Sequence, residues 1–447
     1  MAKVFKAKSR RGSAEHQARI PVELSIDTLD YHGIGVCLST VPITLVSGGL
    51  PNERLLVSLH KSGTKVQTAR IKQIIEASEQ RQAAFCQHYD QCGGCSMQHL
   101  SQAQGISQKT QALKAHLAHK LALSEDTWQP SIESPPQYRR KVRLSVDARN
   151  PKQVKIGYRV VNSNTVVDIS ACAILTLPLQ KAIFSILPHI KLLPSVRNIG
   201  HLVFFESIDG VSMAVHCSKK LRDNDASSLA ALAKQLQIDL RVLHKQEDKT
   251  CEASKPLRVK GYQEQNLQQS LQVGMSDFVQ INEAVNQQML VRAIAWLSPT
   301  KQDIVYDFFA GAGNFSLAMA ARAAQVYAYE VSDNMVKRCQ ENAQFNGLGK
   351  VSATKADLDA ENELSTVSLQ KDALVVLDPA RSGAKRLSEK LAKSSVRKVL
   401  YVSCNPSTFV RDLGIMRETF RVEKICTLDM FPFTEHMEVM ALLVRKK

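Results

Sequence analysis

Between about Leu267 and the C-terminus, five short apolar segments recur: DIVYDFF, VYAYE, VSATKAD, ALVVLDP and KVLYVSC. The stretches between them are long enough to hold a helix each. Apolar runs of this kind are strands buried on both faces, and strands separated by helices are joined into a parallel sheet. The region 267–447 is therefore expected to be a doubly wound α/β domain. Ligands of such sheets bind outside the carboxyl ends of the strands. Those ends carry Asp307, Glu330, Asp357, Asp378 and Cys404 in chain order.

The first strand runs directly into FFAGAGNFSLAMA, placing Gly311 and Gly313 at a strand-to-helix turn, where backbone can approach a ligand closely. A lone GxG equally suits a dinucleotide site or a tight turn. Here an acid, Asp307, stands beside the turn. The third dinucleotide glycine is missing, since Phe315 follows Asn314, and no phosphate-binding residue is visible. These features favour a cationic, phosphate-free ligand such as S-adenosylmethionine. Glu330, about twenty residues further on, is placed to accept ribose hydroxyls. Asp357 is placed to receive an adenine amino hydrogen. Taken singly, each acid would read as a helix cap or a solvated loop residue.

A lone cysteine in a strand is usually a small buried hydrophobe. Cys404 instead lies just past its strand and just before Asn405-Pro406, where the chain turns toward the same crevice as LDPARSGA. A thiolate there can act as a nucleophile. One reaction that needs it is methylation of a pyrimidine at carbon 5, a poor nucleophile in the neutral ring. Thiolate addition at carbon 6 makes carbon 5 electron-rich, and a base then removes the carbon-5 proton so that elimination frees the cysteine. The terminal DMFPFTEHMEVMALLV offers Glu435 and Glu438 as that base, and spacing alone leaves both open.

The remainder of the chain points to a polyanion. Lys and Arg number 58 against 42 Asp and Glu, a formal charge of +16, and a field of that sign draws nucleic acid without sequence selectivity. Residues 1–19 read as a basic tail. Over 20–78, short alternating strands are broken by turns every eight to twelve residues, as in a small β-barrel. Residues 79–266 read as a mixed α/β region carrying a cysteine loop, FCQHYDQCGGCSMQH. In it Cys86, Cys92 and Cys95 are spaced like ligands, and Cys172 is a candidate fourth. Both zinc and an iron–sulfur cluster are compatible with that set. The run YRRKVR, Tyr138 to Arg143, is a candidate RNA contact. With no long apolar stretch and no secretory run at the start, the cytoplasm is the expected compartment.

Together, LPNERLLV, CGGC, FVQIN, DFFAGAGNF, LDPARSGA, YVSCNPST and DMFPFTEHME resemble, in order and over nearly the whole chain, the RNA uracil-5-methyltransferases. Within these they resemble the bacterial enzymes that act on 23S ribosomal RNA. The resemblance implies an N-terminal TRAM barrel of the OB-like kind and a Rossmann-like class I methyltransferase domain. It implies a [4Fe-4S] cluster on Cys86, Cys92, Cys95 and Cys172. S-adenosylmethionine is implied to be held by Gln280, Phe309, Asn314, Glu330, Asp357 and Asp378. Cys404 matches the nucleophile, and Glu438 in the H-x-E ending matches the base. It further implies 5-methyluridine in a structured loop as the product, at position 1939, and a monomer with no obligate protein partner is expected. Two positions depart from the pattern: Ala310 replaces a common Cys, and Asn52 replaces the Gly of an LPGE turn.

Extruding a base from its stack costs roughly a few kcal/mol, recovered by stacking and edge hydrogen bonds. The barrel and central region are expected to grip the folded RNA by shape and phosphate contacts. Transfer-RNA members of the family lack the cysteine cluster, and a second ribosomal relative lacks the barrel. A cytosine-5 enzyme would not carry S-C-N-P. The alternative from another class is a non-catalytic iron–sulfur RNA-binding protein, which Cys404, Glu438 and the glycine turn disfavour.

Overall fold

A computed structural model describes residues 21–121, 123–244 and 256–447, so the basic tail over 1–19 and Cys251 lie outside the described residues. The chain forms two compact units, Met1–Arg81 and Gln82–Lys447.

In the first unit, β1 (Val22–Ser25), β2 (Thr28–Leu29), β3 (Gly35–Cys37), β4 (Ile43–Ser47), β5 (Arg54–Ser62) and β6 (Val66–Glu76) form one sheet in the order β1-β5-β6-β4-β3-β2. Register shifts between Leu56 and Val57 and between Leu59 and Lys61 bend the long β5–β6 pair. The curled sheet wraps Leu24, Ile26, Cys37, Val46, Leu55, Val57 and Ala69, as a barrel-like domain requires. The LPNE turn explains its own departure from the family pattern. Asn52 has φ of 67°, in the left-handed region that glycine enters freely and asparagine tolerates best among the other residues. Beside it the wholly buried Glu53 carboxylate accepts from Leu50 N at 2.9 Å and Arg81 Nε at 2.5 Å. Burial opposes its charge, yet these partners hold its pKa below the ordinary value.

The second unit opens with α1 (Gln102–Leu121). A mixed sheet follows: β7 (Lys141–Asp147), β8 (Lys155–Gly157), β9 (Ile199–Ser207), β10 (Gly210–Cys217) and β11 (Ile238–His244), in the order β11-β10-β9-β7-β8. The apolar faces of α2 (Leu177–Leu192) and α3 (Asp223–Gln235) cover it through Ile183, Ile186, Leu187 and Leu229. This is the mixed α/β region expected there. The run YRRKVR proves largely structural. Tyr138 and Arg140 are buried, Arg140 pairs with Glu283 at 2.7 Å, and Lys141 Nζ donates to Asp277 O at 2.6 Å. Of its basic residues only Arg143 is exposed, so the run as a whole is not an RNA-facing patch.

A hairpin of β12 (Leu257–Glu264) and β13 (Leu267–Val273) leads to α4 (Glu283–Leu297) and the large sheet. The five apolar segments become β14 (Ile304–Phe308), β15 (Gln325–Glu330), β16 (Val351–Lys355), β17 (Leu374–Leu377) and β18 (Lys398–Ser403), all mutually parallel. Between and after them run α5 (Asn314–Ala320), α6 (Asp333–Phe345), α7 (Glu361–Thr366), α8 (Lys385–Ala392) and α9 (Pro406–Met416). The sheet is not purely parallel, because β19 (Phe420–Leu428) and β20 (Glu438–Arg445) close it as an antiparallel pair. The full order is β16-β15-β14-β17-β18-β20-β19. The chain reverses direction of growth between β14 and β17, the switch point at which a crevice opens in such sheets. Among the described residues, no helix is long and apolar enough to cross a membrane.

Candidate active site

One edge of the large sheet gathers the reactive groups. Asp307, Glu330, Asp378 and Cys404 stand at or just past the carboxyl ends of β14, β15, β17 and β18, and Asp357 lies two residues beyond β16. Because β20 runs antiparallel, its first residue, Glu438, reaches the same edge. Ser403 pairs with Val439, so the next step along that register sets Cys404 opposite Glu438. Neighbouring strands lie about 4.8 Å apart, so across the edge the order is Asp357, Glu330, Asp307, Asp378, Cys404, Glu438. Glu435 is exposed in the loop before β20, whereas Glu438 is 6% exposed.

The glycine turn is built by three left-handed residues, Phe309 at φ 66°, Gly311 at 54° and Gly313 at 96°. At Gly313 a Cβ would also lie 2.7 Å from Leu317, so this position needs glycine twice over. Phe309 carries the strain of a non-glycine residue in that region, a conformation the surrounding fold must enforce. The turn is held by hydrogen bonds. Glu330 accepts from Gly311 N at 3.1 Å and Ser332 N at 3.0 Å, and Asn342 Nδ2 donates to Ala312 O at 2.9 Å. Asn314 exchanges reciprocal amide bonds with Asn286 of α4, at 2.8 and 3.1 Å. The backbone carbonyl of Gln280 accepts Arg140 Nε at 3.1 Å, while its side-chain Oε1 is buried without a partner. Asp357 is set apart, accepting Asp359 N at 3.0 Å within its own loop.

Burial dominates the electrostatics of this edge. It lifts the Asp307 carboxyl to about 7 despite the 2.5 Å bond from Ser316, with Asp378 and Glu330 pushing the same way. Burial likewise raises Asp378 to about 7 and Glu438 to about 8, the latter helped by Asp378. The half-buried Cys404 thiol is raised by burial first, then by Glu438 and Asp378. Arg381 opposes them. So much uncompensated acid beside a crevice favours a cationic occupant, and Asp307 Oδ1 and Glu438 Oε2 are buried without partners. These features fit the sulfonium and amino group of S-adenosylmethionine.

Two residues to which the sequence reading gave no role in the chemistry support Cys404. Asn405 caps α9 through Ser407 N at 3.1 Å and donates Nδ2 to Arg381 O at 2.9 Å, tying the cysteine turn to LDPARSGA. Arg381 is the local cation that favours the thiolate. The lone arginine in that motif was the available signal.

Elsewhere in this unit, Cys86, Cys92, Cys95 and Cys172 line one pocket with Tyr158, Arg139 and Gln98. Gly93 lets the loop pass, since a Cβ there would meet Arg159 O at 2.8 Å. Burial raises the Cys92, Cys95 and Cys172 thiols, Cys95 to about 12, and neighbouring cysteines add to each shift. Among the described residues no three His, Cys, Asp or Glu gather tightly enough to hold a single metal ion. The nine described cysteines are free thiols.

Comparison with known proteins bears directly on this arrangement. Residues 198–446 match the family model described as tRNA (Uracil-5-)-methyltransferase. A protein of Alteromonas mediterranea named 23S rRNA (uracil(1939)-C(5))-methyltransferase RlmD is 35% identical over 431 residues, 95% of this chain and 88% of the relative. One of the same name from Vibrio cholerae is 33% identical over the full length of both. The crystal structure of Pyrococcus abyssi tRNA (uracil-54, C5)-methyltransferase with S-adenosyl-L-homocysteine superposes with a TM-score of 0.71 over 94% of this chain and 99% of that one. At 19% identity it shares the fold. With a family match over more than half its length and full-length relatives above 30% identity, the chain belongs to the tRNA (uracil-5-)-methyltransferase family.

Proposed function

We propose that this protein methylates carbon 5 of a uridine in 23S ribosomal RNA, position 1939 as its full-length relatives are named to do, with S-adenosylmethionine as methyl donor. The observation that carries the reading is the placement of a thiol and a buried carboxylate on adjacent strand ends, Cys404 and Glu438, next to a glycine turn flanked by acids. The Cys404 thiolate adds to carbon 6 of the extruded ring, and carbon 5 then takes the methyl group. Glu438 accepts the carbon-5 proton, and the carbon–sulfur bond breaks to restore the ring and the thiolate. Gln280, Phe309, Asn314, Glu330, Asp357 and Asp378 hold the methyl donor. Arg381 favours the thiolate, and Asn405 orients its turn. In this reading the N-terminal unit over 20–78 is a TRAM barrel that grips RNA, followed by a central segment to 266 and the methyltransferase domain. The enzyme works as a cytoplasmic monomer.

The test is a mechanism-based trap. Fluorine at carbon 5 cannot leave as a proton does, so a 5-fluorouridine RNA fragment with S-adenosylmethionine should yield a stable covalent complex. Peptide mapping should place it at Cys404. Methylation without any such complex would overturn the reading.

The four pocket cysteines fit a [4Fe-4S] cluster in donor chemistry: all sulfur, in a mostly apolar enclosure, with a glycine where the loop must bend. Such a group would supply a rigid cross-link between the cysteine loop and the Cys172 segment. Metal binding requires thiolates, so it has to overcome the raised thiol pKa values. Iron and acid-labile sulfide assays on anaerobically purified protein should find about four of each per chain, and Cys95→Ser should lose them. Zinc in their place would refute this assignment.

A further inference from the structure

Glu438 sits on the last rung of the β19–β20 ladder, paired with Leu428, where the sheet ends and a strand would otherwise fray. The chain reaches it through residues 429–437, nine residues without helix or strand. Two grips from distant parts of the sequence hold that loop. Lys109 of α1 is 2% exposed, and its Nζ donates to Thr434 O at 3.1 Å and His436 O at 2.9 Å, with the buried Asp429 as its nearby counter-charge. From the other side, the residues that follow Cys95 bind the same loop. Ser96 N and Met97 N both donate to Phe433 O at 2.9 Å, and Ser96 Oγ accepts Glu435 N at 3.0 Å. Phe433 itself is left-handed, φ 61°, and stacks edge-on against Phe85 at 4.9 Å, beside Cys86. A solvated loop needs none of this. A buried ammonium is expensive to desolvate, and here its acceptors are two carbonyls, of Thr434 and His436, in the segment that delivers Glu438.

We infer that Lys109 and Ser96 are positioning residues for the Glu438 carboxylate: α1 and the cysteine loop clamp residues 433–436 so that the final rung of β20 holds the base against the Cys404 adduct. The inference rests on the role of Glu438 proposed above. It also gives the cysteine pocket a mechanical part in the reaction, because the loop that carries Cys92 and Cys95 continues directly into Ser96 and Met97.

The clamp predicts a step-specific defect. Lys109→Met preserves volume but leaves two carbonyls unpaired. On uridine RNA its kcat should fall on the order of ten- to a hundredfold. KM for S-adenosylmethionine should stay within about twofold of wild type, and a covalent Cys404–RNA complex should accumulate on denaturing gels. Adduct formation with 5-fluorouridine RNA precedes the proton removal, so its rate should stay close to wild type. Ser96→Ala should show the same pattern at several-fold magnitude, and it carries the test if Lys109→Met does not fold. An unchanged kcat in both variants overturns the inference. So does a parallel fall in kcat and in fluorouridine trapping, which would mean a general loss of the site. If the wild-type protein itself fails to trap fluorouridine RNA, the reading of Cys404 and Glu438 fails first, and the two failures are told apart.

Discussion

Cys404→Ala should lower methyl transfer by at least about four orders of magnitude, on the scale seen when a covalent nucleophile is removed. The reason is chemical: among the described strand ends at this sheet edge Cys404 alone carries a thiol, and without addition at carbon 6 the uracil ring offers no electron-rich carbon 5. The structure makes the loss selective. Among the described residues the glycine turn is held by Glu330, Asn342 and the Asn286–Asn314 pair, a set that does not include Cys404. S-adenosylmethionine affinity, read by calorimetry, should therefore stay within a few-fold of wild type while single-turnover methylation vanishes. Persistent turnover in this variant would exclude the covalent route. Serine should not rescue, since a hydroxyl is far harder to ionise than a thiol.

Glu438→Gln should stop the reaction after methyl transfer. Turnover on uridine RNA should fall about a hundred- to ten-thousandfold, the usual range for a general base, with nearly one covalent RNA complex per enzyme accumulating. A variant that turned over normally, or formed no complex, would remove Glu438 from the mechanism. The pH dependence carries a second signature. Burial lifts the Glu438 carboxyl to about 8 and Asp378 to about 7, and Cys404 is raised as well. The reactive forms are the carboxylate and the thiolate, so wild-type kcat/KM should climb as pH rises through about 8. Stability should move the other way. Glu438 is raised from 4.5 in the unfolded chain to about 8 in the folded one, so the native state holds a proton that the unfolded state has released. The stability this gives the ligand-free protein is complete below about 4.5 and is lost as pH climbs through about 8. The glutamine variant has no such proton to lose, so thermal melts should favour it increasingly between pH 5.5 and 8.5. Equal pH slopes for the two proteins would contradict the buried, uncompensated state of this carboxylate.

Much of the site was legible before any fold was known, and the reason lies in strand ends. A parallel strand announces itself by a continuous apolar run, and the residue that ends the run must stand at the ligand edge. Asp307, Glu330, Asp378 and Cys404 could be placed in that way, and the β14-to-α5 turn followed from its glycines. Glu438 could not. Its strand is antiparallel, so the reactive end is the beginning of the apolar run, and nothing local distinguishes it from Glu435 three residues earlier. The basic run at Tyr138–Arg143 misled for the converse reason. Charge density in a sequence does not say which side chains turn inward, and here Arg140 is buried on Glu283 and the carbonyl of Gln280.

The sequence alone determined the class of the C-terminal sheet, the position of its glycine turn, the alternating strands of the N-terminal unit and the place of Cys404 just past a strand end, because each depends on spacing along one segment. Only the tertiary structure decided which groups meet. The opposition of Cys404 and Glu438, the cation Arg381 beside them, the gathering of Cys172 with the three loop cysteines and the grip of Lys109 on Thr434 and His436 all join residues far apart in the chain. Such contacts arise when separate elements share one sheet edge or one core, and the burial they create is what raises the pKa values on which the chemistry turns.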